Sequence, residues 1–165
     1  MIFQDLISFY GLLPHPEGGF YKRTYEADQV ISKDCLGNEF NGERIISTAI
    51  YYLLTPGTFS AFHRIKSDEL WHFYKGTSLH IHVIDASGDY KILKLGDNLA
   101  DGESFQHVVK AGSWFASVPS NPDGYSFVGC TVSPGFDFSD LEIADGEQLS
   151  HLFPQHELLI KRFTR

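Results

Sequence analysis

Residues 57–76 read GTFSAFHRIKSDELWHFYKG, and this stretch decides the fold. Glycines at its two ends mark turns, and two runs rich in strand-forming residues, 59–65 and 69–75, lie between them. His63 lies in the first run and Glu69 begins the second. The stretch therefore predicts two strands that carry part of the ligand set of a metal site.

The same pattern continues along most of the chain. Short runs rich in Tyr, Phe, Val, Ile and Thr are separated by Gly, Asn, Asp and Pro turn signals, with no helical pattern between them. The further predicted strands are 19–26, 44–54, 78–85, 89–94, 105–109, 113–118 and 125–132. Many short strands at this spacing indicate an antiparallel sandwich or barrel.

Apolar residues at helical spacing occur near the two ends of the sequence. Residues 2–10 predict a short helix that stops at Gly11, and the segment from about Asp145 predicts a helix that Pro154 breaks into two pieces. The sequence contains no internal repeat and no low-complexity linker. We therefore expect one domain over residues 1–165.

Charge and composition exclude several classes of partner. The 165 residues include 13 Lys and Arg against 21 Asp and Glu, a formal charge of -8, without a basic block, so we expect neither nucleic acid nor anionic lipid as a partner. The N-terminus lacks the pattern of a signal peptide, and no run approaches the ~20 apolar residues of a membrane span. Cys35 and Cys130 lie in unlike surroundings, which predicts a reducing, cytoplasmic setting.

The spacing Gly57-x5-His63-x-Ile65-x3-Glu69-x6-Gly76 resembles the first motif of the cupin superfamily. One residue departs from it, because metal-binding cupins carry a second histidine where this chain has Ile65. The resemblance implies an all-β fold, an antiparallel double-stranded β-helix of jelly-roll type. With the terminal patterns added, the expected fold is a cupin barrel with short N- and C-terminal helices.

The second cupin motif is also incomplete. The segment VKAGSWF (109–115) places Phe115 where the last histidine belongs, so two of the four ligands are missing. Four segments together look like a group of small bacterial and fungal cupins, often called cupin-5-like, whose members mostly lack an assigned function. These segments are PHPEGGFYKRTY (14–25), STAIYYLL (47–54), FHRIKSDELWHFYKG (62–76) and VGCTVSPGFDF (128–138). The resemblance covers nearly the whole chain, and it implies the fold more strongly than the function.

A metal cofactor is not expected from these residues. A divalent ion needs three or four protein donors, and His63 and Glu69 supply two. The alternative is an ion at His63 and Glu69 completed by a recruited histidine. His72 should face away from the cavity, whereas His80 and His82 share one face, as either a metal half-site or polar surface residues.

His63 and Glu69 are the predicted catalytic residues. Strand alternation and the motif comparison surround them with a predicted ligand-binding wall of Ile65, Trp71, Phe73 and Phe115. An apolar lining with a few fixed polar groups is typical of a small-molecule site. If His63 and Glu69 are in contact, they can act as general base and orienting partner, or they can merely satisfy each other's hydrogen bonds.

The segment HPEGGFYKRTY (15–25) adds polar groups from the N-terminal side. Its consecutive glycines allow the chain to approach a neighbour or a ligand closely, and His15 should brace this loop. Lys22 and Arg23 lie on opposite faces of the strand, and the pattern does not choose the inner one. A basic residue is usual at the position of Lys22 in the group that this chain resembles, so the resemblance implies that Lys22 contacts an anionic or carbonyl group of a ligand; the alternative is a solvated edge-strand lysine.

The sequence therefore predicts a metal-independent cupin that binds a small, ring-containing, sugar-like or nucleotide-like metabolite. By analogy with the sugar-nucleotide epimerases of the cupin superfamily, it would isomerise or epimerise that ligand, with Tyr52 or Tyr125 as the acid. The alternatives are a metal-dependent oxygenase or isomerase and a non-catalytic binding cupin. The 14 Phe, 8 Tyr and 2 Trp also predict a homodimer that buries the outer face of one sheet.

Overall fold

The computed structural model describes residues 2–165 and confirms the predicted all-β fold. The strands are β1 (Leu13–Pro14), β2 (Phe20–Glu26), β3 (Val30–Ile31), β4 (Arg44–Ile45), β5 (Thr48–Leu54), β6 (Ser60–Arg64), β7 (Asp68–Gly76), β8 (Leu79–Ile84), β9 (Tyr90–Leu95), β10 (Gln106–Val109), β11 (Trp114–Pro119), β12 (Ser126–Ser133) and β13 (Glu142–Ile143). The helices are α1 (Phe3–Tyr10), α2 (Gly146–Leu152) and α3 (Glu157–Arg162), and short 3₁₀ turns connect several elements.

The strands form two larger sheets and a small hairpin. One sheet has the order β1-β2-β5-β12-β7-β10 and the other the order β13-β6-β11-β8-β9, with antiparallel neighbours throughout. The strand predicted over 44–54 is two strands, because β4 pairs with β3 in the hairpin whereas β5 pairs with β2 and β12. The chain therefore passes from the hairpin to the six-stranded sheet within residues 44–54, although the composition of this segment does not mark the change.

Alternating side chains fill the interior between the sheets. On β8, Ile81 and Val83 are buried in the interior cluster, whereas His80 and His82 lie on the opposite face. On β7, Trp71 is 1% exposed and joins the same cluster. The inward face of each strand is therefore apolar, and the few polar groups that share it are candidates for function.

Helices cover parts of both outer faces. Leu6 of α1 packs into an apolar cluster with residues of the six-stranded sheet, and α1 ends at Gly11, whose φ of 61° is left-handed. On the other side, Ile160 of α3 packs against Ile84 of the five-stranded sheet. Pro154 lies in the turn that separates α2 from α3, as predicted. Within residues 2–165, no helix has the length and apolar character needed to cross a bilayer.

The rest of the outer face of the six-stranded sheet carries exposed apolar side chains. Tyr74 of β7 is 50% exposed and Val108 of β10 is 42% exposed. We propose that this face pairs with the same face of a second copy, because burying exposed apolar surface stabilises symmetric dimers.

In sedimentation experiments at micromolar concentration, we expect the mass of two chains for the parent protein and of one chain for Val108→Glu. The control is Val30→Glu, because Val30 is 51% exposed but lies on the β3–β4 hairpin. A single-chain mass for the parent protein would contradict the proposed dimer.

Candidate functional site

The polar cluster inside the barrel centres on Glu17, which precedes β2. Its Oε2 lies 2.8 Å from His63 Nε2 on β6, and its Oε1 lies 3.0 Å from His15 Nδ1. Ser60 Oγ donates a further hydrogen bond to Oε2, at 2.5 Å. The direct partner of His63 is therefore Glu17, and the expected contact between His63 and Glu69 is not formed.

Two consecutive glycines allow Glu17 to reach this position. Gly18 and Gly19 have φ values of 119° and 69°, and a Cβ on either residue would collide with neighbouring backbone. The carbonyl of Glu17 accepts a hydrogen bond from Ala61 N at 2.8 Å, and Tyr52 donates its hydroxyl to Gly18 O at 2.7 Å. The loop therefore presses against β5 and β6 and inserts its carboxylate into the barrel.

The geometry around His63 indicates a charged ring. Nδ1 lies 2.7 Å from Ala61 O and Nε2 faces the Glu17 carboxylate, and both of these partners can only accept hydrogen bonds. Burial lowers the pKa of His63, but the Glu17 charge and hydrogen bonds outweigh burial and raise it. Burial likewise opposes the charge on Glu17, but the His63 charge and hydrogen bonds from both histidines hold its pKa well below the usual range. His63 and Glu17 form a buried ion pair, and His63 has no free lone pair.

Glu69 and Glu17 line the same small cavity, but of the two, within residues 2–165, only Glu17 forms an ion pair. Glu69 is 8% exposed, and the cavity that it lines has a volume of about 30 Å³, which has room for about two water molecules. The side chains of Cys130 and Trp71 lie beside the Glu69 carboxyl and lower its pKa by hydrogen bonding, against the larger effect of burial. Burial, and secondarily the charge of Glu17, raise the pKa of Glu69 to about 7, against the opposing charge of His63. Glu69 is therefore poised to gain or lose a proton near neutral pH.

A larger cleft lies directly outside this cavity. The cleft has a volume of about 570 Å³, and three residues line both spaces: Tyr21, Arg23 and Phe136. Phe138 and Lys22 line the cleft but not the cavity. The interior carboxyl is therefore separated from a roomy, partly aromatic and partly cationic cleft by a layer of side chains.

Comparison with known proteins identifies the family. Residues 4–144 match the family described as "Cupin superfamily (DUF985)". This chain belongs to that family. The cupin is 33% identical over 159 residues to a Saccharomyces cerevisiae relative named "Uncharacterized protein YML079W", a match that covers 90% of this chain and 79% of the yeast protein.

Two solved structures are similar over nearly their whole length. Protein SO0799 from Shewanella oneidensis is 38% identical with a TM-score of 0.90, covering 100% of this cupin and 98% of that chain. A hypothetical protein from Leishmania major is 36% identical with a TM-score of 0.89, covering 99% of each chain. These relatives carry no activity in their names, so the chemistry of this cupin must be argued from its own residues.

Three of the predicted wall residues lie in the interior. The Phe115 ring centroid is 4.0 Å from that of His63, and Phe73 packs against the interior cluster. Trp71 lies near Glu69 and lowers its pKa slightly against the larger effect of burial, but the indole Nε1 is buried with no hydrogen-bond partner of normal geometry in the described chain. Trp71 therefore lies beside the Glu69 carboxyl as a candidate hydrogen-bond donor.

The structure places two predicted ligand-binding residues elsewhere. Ile65 follows the end of β6 at Arg64 and is buried, but it lines a separate pocket of about 390 Å³ with Gly112. Lys22 is on the exposed side of β2 and lines only the outer cleft, whereas Arg23 reaches the cavity. The inner face of β2 is the one that carries Arg23.

The other histidines lie outside this site, except for His15. His72 faces outward and contacts Thr131 Oγ1 at 3.1 Å, as predicted, and His107 contacts a backbone carbonyl. His15 contacts Glu17 directly, so it belongs to the site rather than only bracing the loop. Of the two candidate acids, Tyr52 is at the site with its hydroxyl already donating to the Glu17 loop, and Tyr125 packs on the outer α1 cluster.

The donor set does not fit the four-ligand metal site of metal-binding cupins. Ile65 and Phe115 occupy two of the ligand positions, and Glu17 already binds His63 and His15. In the part of the chain that the structure describes, no three His, Cys, Asp or Glu side chains are arranged to hold a metal ion.

Proposed function

We propose that this cupin is a metal-independent proton-transfer enzyme of the isomerase or epimerase type, with Glu69 as its acid-base group. The observation that carries the proposal is the buried Glu69 carboxyl, which lines the cavity, forms no ion pair with the residues that the structure describes, and has its pKa raised to about 7 by burial and by the charge of Glu17. A group whose pKa lies near the working pH can both remove and return a proton efficiently.

The proposed step conserves atoms and electrons. The Glu69 carboxylate takes a proton from a carbon beside a carbonyl group, and the electron pair of the C–H bond moves into the carbonyl to form an enolate. If the carbon also carries a hydroxyl group, that hydroxyl passes its proton to the enolate oxygen, and return of the carbon-bound proton from the Glu69 carboxyl to the former carbonyl carbon gives the isomer. Return to the original carbon gives the epimer only if the bound enolate turns its opposite face to Glu69. No oxidant or reductant is required.

The ion pair of His63 and Glu17 supports this step without carrying the proton. Both ring nitrogens of His63 are engaged, so Glu69 takes the role of base that the sequence assigned to His63. The Glu17 charge contributes to the raised pKa of Glu69, which places the carboxyl near half-ionisation at neutral pH. His63 and Glu17 are therefore positioning residues.

The shape of the two spaces supports a sugar-like or nucleotide-like substrate. The inner cavity of about 30 Å³ accepts only the reacting end of a ligand, so the remainder would lie in the cleft of about 570 Å³. Tyr21, Phe136 and Phe138 offer aromatic faces to a ring, and Lys22 offers positive charge to an anionic group. Arg23 also lines the cleft but is paired with Glu26, and Asp137 adds one negative charge.

Hydrogen exchange at carbon tests the proposed function. The parent protein is incubated in deuterated buffer with a panel of sugars, sugar phosphates and nucleotide sugars, and NMR follows each carbon-bound proton. We expect one class of ligand to gain deuterium beside its carbonyl group, at a rate that EDTA does not change.

Two results would contradict this proposal. Exchange that EDTA abolishes and a divalent metal restores would favour the metal-dependent alternative. Saturable binding of a panel member with no exchange at any carbon would favour a non-catalytic binding cupin.

A further inference from the structure

A second cavity lies on the outer face of the five-stranded sheet. It has a volume of about 460 Å³ and is bounded by β8, by the chain that follows β11 and by the end of α3. His80, His82 and Arg162 line it together with Ser120. Because Ile81, between the two histidines, points into the barrel interior, the sheet itself separates this cavity from Glu69.

His82 is fixed in place with one ring nitrogen unused. Its Nδ1 lies 2.7 Å from the Tyr90 hydroxyl, and its ring packs 4.9 Å from the Phe163 ring, measured between centroids. The residue is only 8% exposed, yet within residues 2–165 its Nε2 forms no hydrogen bond. Because the two nitrogens of an imidazole ring point in divergent directions, Nε2 does not face the Tyr90 hydroxyl, and His82 itself lines the cavity.

Arg162 and a second histidine, His80, lie near this nitrogen. Burial, and then the charges of His80 and Arg162, lower the pKa of His82 to about 4. Burial and Lys94 lower the pKa of His80 against the opposing charge of Glu103. Arg162 forms no ion pair with any other residue that the structure describes. The cavity therefore presents one unpaired guanidinium and two histidines that a nearby anion would stabilise in their charged forms.

We propose that this cavity binds a small organic anion, a phosphate monoester or a carboxylate with an apolar body, through Arg162 and His82 Nε2. The planar guanidinium matches the oxygens of both groups. Phe59, Val118 and Phe163 supply apolar walls for the body of the ligand. A metal ion is disfavoured because Arg162 lines the same cavity and its charge would repel a cation.

Phenyl phosphate is a suitable probe because it combines a dianion with an apolar ring. In an NMR titration of the full chain at pH 6.5, we expect saturable shifts of the His80 and His82 ring signals. We also expect a higher pKa for His82 in the bound state, since the anion stabilises the imidazolium against burial, His80 and Arg162. Benzoate titrated in parallel shows whether a carboxylate suffices.

A matched pair of variants distinguishes binding at a specific site from nonspecific attraction of an anion to positive charge. Arg162→Gln should weaken phenyl phosphate binding by about 10-fold to 100-fold, because it removes a charge-assisted hydrogen bond. Lys161→Gln makes the same change of charge at the preceding exposed residue, whose Nζ bonds Glu157, and should change binding by less than about twofold.

Several results would overturn the inference. These are the absence of saturable shifts with either anion, equal weakening in the two variants, and tight Zn²⁺ binding at His80 and His82 without anion binding. The outcome is separate from that of the proposed enzyme, because Glu69→Gln, on the other side of the sheet, should bind phenyl phosphate as the parent does.

Discussion

Replacing Glu69 with glutamine is expected to slow the proposed proton exchange by about 10²-fold to 10⁴-fold and, at the same time, to stabilise the fold. Glutamine keeps the size of the protonated carboxyl and loses the ability to accept and return a proton at neutral pH. Because Glu69 lines the cavity and glutamine has nearly the same shape and an oxygen that Cys130 and Trp71 can still contact, the substitution should leave the surrounding packing intact. Loss of the Glu69 carboxylate would then both lower the rate of exchange and raise the stability of the fold.

The gain in stability should depend on pH. The pKa of Glu69 is raised from 4.5 to about 7, so between these values the folded state binds more protons than the unfolded state. The free energy of unfolding of the parent therefore falls as pH rises through this window. The free energy of unfolding of Glu69→Gln does not fall in this way. It should therefore exceed that of the parent by almost nothing at pH 4.5 and by roughly 3 kcal/mol at pH 8.

Urea unfolding at several pH values, together with deuterium exchange, tests both parts of this prediction. Glu69→Asp is the control, since it retains a carboxyl at a shorter reach and should keep part of the exchange. If Glu69→Gln exchanged deuterium at the parent rate, Glu69 would not be the acid-base group. A stability difference that stays constant across pH would show that Glu69 does not titrate in the native state as described.

Replacing Glu17 with leucine is expected to destabilise the fold by about 3 to 5 kcal/mol, because it leaves a buried imidazolium without its counter-ion. It also removes the acceptor of the Ser60 hydroxyl. Glu17→Gln should cost less, because a neutral His63 that donates from Nδ1 to Ala61 O can accept at Nε2 from the glutamine amide. The pKa of His63 should fall in both variants, since burial is then no longer outweighed by the Glu17 charge.

The same two substitutions at Glu142 provide the control. Glu142 pairs with Arg64 at 2.7 Å on the surface, where both side chains are largely exposed, so each change should cost less than about 1 kcal/mol. Equal losses at the two sites would show that the Glu17 ion pair does not support the fold. Histidine NMR in Glu17→Gln gives a second readout, because a merely structural role for Glu17 would leave the titration of His63 unchanged.

The strands and helices could be predicted because their signals are local. Alternation on β7 placed Trp71 inside and His72 outside, and the glycine and proline turns marked most strand ends correctly. Glu17 could not be predicted in the same way, because its position depends on a loop that packs against β6, far away in sequence. The available signal was the pair of glycines after it, which indicated a close approach of backbone but not which side chain that approach would bury.

The remaining differences have equally specific causes. Ile65, one residue beyond the end of β6, is buried as alternation predicted, but it lines a separate pocket rather than the cavity beside Glu69. The inner face of β2 is decided by its pairing with β5, which a pattern within 19–26 does not contain. The partner of His63 was assigned to Glu69 from motif spacing, whereas Glu17 lies 2.8 Å from it.

The side chains of Tyr21, Arg23 and Phe136 separate the inner cavity from the outer cleft, so these side chains, rather than a loop, control access to Glu69. Arg23 is held there by exposed contacts, to Glu26 at 2.5 Å and to Phe136 O at 3.4 Å, which water can replace. Rotation of exposed side chains takes picoseconds to nanoseconds, whereas enzymes typically turn over about 1 to 10³ times per second. Movement of the Arg23 side chain would therefore not limit the rate, whereas Tyr21 and Phe136 are half-buried, so their slower movement would control how a ligand reaches the Glu69 carboxyl.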